Sequence, residues 1–118
     1  MNDEIIQKID LIAVGGRKKL DPAEVILLHA DINYTHIFLA NGDKIIVSYT
    51  LKKLADRFSK LDFFIRPNKS FLLNLNFIKN FNDSTIQIID YSILMSRRKK
   101  QFLFEKMKHT DMCFAEKA

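Results

Sequence analysis

Apolar residues in this chain arrive in short β-branched runs, each closed by turn formers, and that punctuation is what most limits the folds open to it. Val25-Ile-Leu-Leu-His-Ala30 and Thr35-His-Ile-Phe-Leu-Ala40 read as strands. Asn41-Gly42 follows, the pair favoured by a two-residue type I′ turn because both central residues need positive φ, and Lys44-Ile-Ile-Val-Ser48 resumes strand character behind it. Residues 34 to 48 are therefore expected to form a hairpin. Ile78 to Phe81, Thr85-Ile-Gln-Ile-Ile89 and Ile93-Leu-Met95 predict a second antiparallel meander, with Asn82-Asp83-Ser84 and Asp90-Tyr91-Ser92 as its turns.

Helical signals are shorter. Asp21-Pro22-Ala23-Glu24 carries the cap, first-turn proline and N3 glutamate of a helix start, but the strand behind it leaves room for a single turn. Leu51, Leu54, Phe58 and Leu61 recur at helical spacing behind Thr50, which predicts an amphipathic helix near 51–60 with Lys52, Lys53 and Arg57 facing outward. Phe102, Leu103 and Met107 among charges predict a terminal helix over 97–108. At 118 residues the chain has the size of one domain. The expected class is mainly β, with antiparallel sheets and short helices.

No apolar run reaches the roughly 20 residues of a membrane-spanning helix, and Met1-Asn2-Asp3-Glu4 is acidic where a secretory signal is basic, so a cytoplasmic protein without membrane insertion is expected. The single Cys113 has no partner for an internal disulfide and no neighbours at zinc-ligand spacing; no metal or other cofactor is expected. Residues 1–59 hold eight basic and eight acidic side chains, whereas residues 60–118 hold eleven and six, so the whole net charge of +5 lies in the second half. Clustered cations suit a polyanion, through counterion release, as well as they suit a solvated face.

Catalytic patterns are missing: the chain has no phosphate-binding glycine loop, no H-E-x-x-H pair and no nucleophile elbow. His29, His36 and His109 leave open only a remote ribonuclease reading, with two histidines as acid and base, and no enzyme is expected. The run from Phe63 to Ile78 places Arg66, Asn68, Lys69 and Ser70 immediately before apolar residues that must be buried, so polar side chains would project from a rigid base. Asn can bridge an adenine edge there, and Lys or Arg can reach guanine or phosphate. Ser96-Arg97-Arg98-Lys99-Lys100 puts four consecutive cations where a helix should open, against the helix dipole, a repulsion that a nearby phosphate would relieve.

Taken in order, Asn33-Tyr34-Thr35, Asn41-Gly42, Thr50-Leu51-Lys52-Lys53-Leu54, Phe64-Ile65-Arg66 with Ser70 and Leu73-Asn74-Leu75, and Ser96-Arg97-Arg98 resemble the LytTR family of bacterial response-regulator output domains. The resemblance covers residues 11–108, leaving 1–10 as an N-terminal extension and 109–118 as a C-terminal tail. It implies an elongated fold of small antiparallel sheets, and sequence-specific binding to promoter direct repeats in double-stranded DNA by loops entering successive major grooves. Carried over by position, the base-reading candidates are Asn33, Thr35 at the tip of its turn, His36, Asn68, Lys69 and Arg98. Arg66, Arg97, Lys99 and Lys100 are candidates for phosphate contacts or for structure, and Ser70 and Asn74 would fix local backbone.

Two positions depart from the family's commonest pattern: Asn68, where His is frequent, and Lys69, where Arg is frequent and where Lys lacks the planar fork for bidentate guanine contact. About ten residues precede the first strand, too few for a receiver domain, so control by phosphorylation within this chain is not expected. Direct repeats would seat two copies side by side on DNA. The alternative is an interaction module of the same fold, acting with a sensor or kinase in trans through an apolar patch of Phe63, Phe64, Phe102 and Phe104.

Overall fold

The computed structural model describes residues 11–108. His109 and Cys113, with the extension and the tail, lie outside the described residues. Ten strands and two α-helices follow in chain order: β1 (Ile12–Gly15), β2 (Lys18–Leu20), β3 (Val25–Asp31), β4 (Tyr34–Leu39), β5 (Lys44–Val47), α1 (Leu51–Phe58), β6 (Phe64–Asn68), β7 (Phe71–Asn74), β8 (Ile78–Phe81), β9 (Thr85–Ile88), β10 (Tyr91–Leu94) and α2 (Lys100–Lys108). A five-stranded antiparallel sheet in the order β5-β4-β3-β7-β6 forms the middle layer.

Successive side chains of a strand point to opposite faces, so a strand covered on both sides must be apolar throughout. That is why β3 and β7 read as continuous apolar runs. Leu28 of β3, paired with Leu72 of β7 and Ile37 of β4, faces a core closed by Leu51, Leu54 and Phe58 of α1 and by Val14 of the β1–β2 ribbon. Their neighbours Leu27 and Leu73 face the opposite core, closed by Ile86, Ile88 and Ile93 of the β8–β9–β10 meander and by Leu103 and Met107 of α2. The ribbon β1–β2 and the strands β6 and β7 were not legible as elements in the sequence. The first is short, with strands of four and three residues, and Pro67 interrupts β6, as an edge strand tolerates.

Local chemistry sets the element ends. Thr50 caps α1 by accepting from the Lys53 amide at 3.3 Å, and Asp21 caps the single 3-10 turn Pro22–Glu24. Arg57 does not face outward: it donates to the Ala13 carbonyl at 2.8 Å and lies over the Tyr49 ring, tying α1 to β1. The hairpin β4–β5 forms, but around three residues. Gly42 donates to the Leu39 carbonyl and the Leu39 amide to Asp43, so Ala40-Asn41 make the turn and Gly42, at φ +99°, makes the bulge behind it. In the meander the turn falls on Ile89-Asp90, which leaves Tyr91 and Ser92 inside β10. Helix α2 begins at Lys100, so the first three cations of the basic run form a turn ahead of it.

Three hairpins, β1–β2, β3–β4 and β9–β10, are closed by two-residue turns between the pairs Gly15↔Lys18, Asp31↔Tyr34 and Ile88↔Tyr91. The first turn residue has positive φ in each: Gly16 at +58°, Ile32 at +55° and Ile89 at +49°. Glycine takes that backbone freely, whereas a β-branched residue pays on the order of 1–2 kcal/mol for it.

Asn74 is fully buried at the end of β7, donating to the Val25 carbonyl at 2.9 Å and accepting from the Asn76 amide at 2.8 Å. Asn74→Ala would leave both backbone groups unpaired, and urea unfolding should show a loss of about 1–3 kcal/mol. His29, stacked flat on Phe71 at 4.4 Å, is held below the ordinary histidine pKa of 6.5, first by burial and then by the His36 charge, with Asp31 pulling the other way. The unfolded chain therefore takes up this proton more readily than the folded one, and the stability His29 contributes is lost as pH falls below 6.5. Thermal scans from about pH 7 to about pH 5 should show a falling Tm, with a smaller fall in His29→Phe.

Candidate nucleic-acid interface

Three connections meet at one end of the central sheet. The turn between β3 and β4 is Ile32-Asn33, and the turn between β6 and β7 is Lys69-Ser70. Because β3 runs antiparallel to β7, with His29 paired to Phe71 and the Ala30 amide donating to the Ser70 carbonyl at 2.8 Å, these turns lie side by side. Neighbouring strands are about 5 Å apart, so the two turns leave adjacent strands at the same end of the sheet. The third connection, Met95–Lys99 between β10 and α2, docks against β6, where the Ser96 amide donates to the Pro67 carbonyl at 2.8 Å.

Side chains complete that junction. Asn68 donates from Nδ2 to the Leu94 carbonyl at 2.7 Å and accepts the Ser70 amide on Oδ1 at 2.8 Å, so both ends of its amide are engaged within the chain. Lys99 donates through Nζ to the Arg66 carbonyl at 2.9 Å, and Arg66 donates through Nη2 to the Lys69 carbonyl at 3.0 Å. Burial first, then the Arg66 and Arg98 charges, hold the Lys99 ammonium below its ordinary pKa. Arg66, Asn68, Lys69, Ser96, Arg97, Arg98 and Lys99 line one open cleft of about 690 Å³. Five of these seven carry positive charge, and among the described residues no carboxylate lines the cleft.

The sequence-derived candidates divide on this geometry. Arg66, Asn68, Lys69, Arg97, Arg98 and Lys99 come together in the cleft, and Lys69, Arg97, Arg98 and Lys99 are exposed. Lys100 instead lines a neighbouring hollow with Asp83, Gln101, Phe104 and Glu105, which Arg97 also borders. Asn33 is exposed at the β3–β4 tip. His36 sits behind it on the sheet face, 2.9 Å from the Asp31 carboxylate, with its ring centroid 6.3 Å from that of His29. Thr35 is a correction: it is not at the tip but fully buried, its hydroxyl donating to the Tyr49 carbonyl at 2.8 Å. Strand alternation turns it into the α1 core, two residues past the turn, and puts Ile32 and Asn33 at the tip.

The four phenylalanines of the alternative reading do not assemble an exposed patch, in keeping with core packing as the favoured role for such residues. Phe64 is buried and Phe63 packs on the α1 core, Phe104 lies against Phe81 at 5.7 Å, and Phe102 alone of the four is exposed. A structural role was open for Arg66 and Lys99 from the sequence, whereas the internal bonding of Asn68 was not. Asn68-Lys69-Ser70 is the spacing of an Asx turn, which could have signalled part of it.

A comparison with curated proteins finds no match. Among solved structures the fold is similar to the LytTr DNA-binding domain of a protein described as a methyl-accepting/DNA response regulator from Bacillus cereus, at a TM-score of 0.60 and 22% identity, over 85% of this chain and 94% of that one. The sequence model of the LytTr DNA-binding domain matches residues 15–108, the whole body that carries the cleft and the three turns. The chain belongs to the LytTr DNA-binding domain family.

Proposed function

We propose that this domain is a transcriptional regulator that binds promoter direct repeats sequence-specifically, through side chains at one end of its central sheet. The observation that carries the reading is the convergence of three sequence-distant connections on that end, where exposed Lys69, Arg97 and Arg98 surround a cleft free of carboxylates. Base edges are read by side chains held at fixed angles, and both the strand ends and the bonded junction supply such a base. Lys69 and Arg98, with Asn33 on the neighbouring tip, are the base readers in this reading, and Arg97 neutralises phosphate. Asn68, Arg66 and Lys99 act as braces, because their polar atoms already serve main-chain partners. On a direct repeat, two copies would lie in the same orientation along the duplex.

Fluorescence anisotropy on promoter fragments tests this. Each phosphate contact should lower affinity by about three- to fourfold between 50 and 200 mM salt, and a repeat-containing fragment should bind more tightly than a scrambled one. Equal binding to both fragments sinks the reading. Arg98→Ala should cost about 1–3 kcal/mol on the preferred site and less on scrambled DNA, whereas Arg97→Ala should weaken both alike and reduce the salt slope by about 1.

The braces make a separate prediction. Asn68→Ala should lower specific affinity in the native background but have little further effect once Lys69 and Arg98 are both alanine, since it acts through them. Additive losses in that double-mutant cycle would make Asn68 a base reader in its own right.

A further inference from the structure

Ile32 and Ile89 occupy the same strained position of two equivalent hairpins, yet only one of them is compensated inside the protein. Ile89 is half-buried and packs on the core beneath the β8–β9–β10 meander, so burial of its side chain offsets the backbone it adopts. Ile32 is 90% exposed, the most exposed large apolar side chain among the described residues. At Gly16, the third equivalent position, the chain uses the residue that takes positive φ without cost. Ile32 is thus a β-branched side chain kept in a glycine-type conformation, at a tip where it contacts little of its own protein.

The tip leaves the strand next to β7, at the same end of the sheet as Lys69 and the cationic cleft, and it carries Asn33 beside Ile32. A duplex engaged there would meet this tip as well. The floor of the major groove presents hydrogen-bonding edges and one kind of apolar group, the 5-methyl of thymine. We infer that Ile32 is a specificity-determining residue that packs its side chain on a thymine methyl in the major groove, so that this hairpin distinguishes thymine from cytosine by apolar contact. The inference rests on the DNA-reading function proposed above.

The test removes only the methyl. A preferred duplex is first selected from random double-stranded oligonucleotides with the full chain, and each thymine in it is then replaced singly by deoxyuridine. The native protein should lose about fourfold in affinity at one thymine per half-site, equivalent to ~0.8 kcal/mol for one methyl-sized group taken out of water. Ile32→Gly should bind the thymine duplex with that same loss and should not distinguish thymine from uracil at that position. Because glycine relaxes the turn, its Tm should equal or exceed that of the native protein, which separates the effect from misfolding. A preferred duplex whose thymines can all be replaced without effect overturns the inference while leaving DNA reading intact. So does a methyl effect that persists in Ile32→Gly, or a variant that binds every duplex normally but loses self-association in sedimentation. Failure to select any preferred duplex overturns the DNA-reading function and this inference together.

Discussion

The rest of the structure depends on the burial of β3 and β7 from both sides. Each strand sends alternate side chains into two separate cores, Leu28 and Leu72 toward α1 and Leu27 and Leu73 toward the meander and α2. A one-residue slip in the β3–β7 register would exchange the two sets and break both cores at once, so this pairing is specified more tightly than an ordinary edge pairing. Everything at the end of the sheet inherits that precision. The level at which β3 stops and β7 starts is what sets Ile32-Asn33 beside Lys69-Ser70.

Against that rigid base, the cationic cleft is an unfavourable construction that the chain makes tolerable. Arg66, Lys69, Arg97, Arg98 and Lys99 repel one another across a shared hollow, and the depressed pKa of Lys99 registers both that repulsion and partial burial. Two of the five are stabilised by main-chain carbonyls, Lys99 on Arg66 and Arg66 on Lys69, while Asn68 holds the β6–β7 turn to the end of β10. Hydrogen bonds from charged donors contribute more than neutral ones, enough to order two loops that would otherwise separate. Lys99 is exposed along with Lys69, Arg97 and Arg98, so the division is one of bonding and not of burial, as expected where some groups position and others contact a polyanion.

Strain is distributed with the same logic. Positive φ at Gly16 costs nothing, at Ile89 it is offset by packing on the core, and at Ile32 it has no such offset among the described residues. Backbone outliers that persist without internal compensation concentrate at surfaces that engage something else. The β3–β4 tip and the cleft lie at the same end of the central sheet in two chemistries, apolar at Ile32 and cationic at Lys69 and Arg98.

Much of this was legible in the sequence. β-branched runs and turn formers located β3, β4, β5 and the meander strands; Thr50 with the spacing of Leu51, Leu54 and Phe58 located α1; and the ordered motifs indicated the family. These are local signals, readable because capping, turn chemistry and periodicity act over a few residues. The three-residue form of the β4–β5 turn, the burial of Thr35, the inward Arg57 and the bonding of Asn68, Arg66 and Lys99 were not legible. Each depends on a partner supplied from another part of the chain or from the twist of a paired strand. The sequence by itself determined that the chain is an antiparallel β domain of this family with cations concentrated in its second half. Only the tertiary structure decided which of those polar side chains are free to meet a ligand, because whether a group is exposed or already hydrogen-bonded is settled by neighbours distant in sequence.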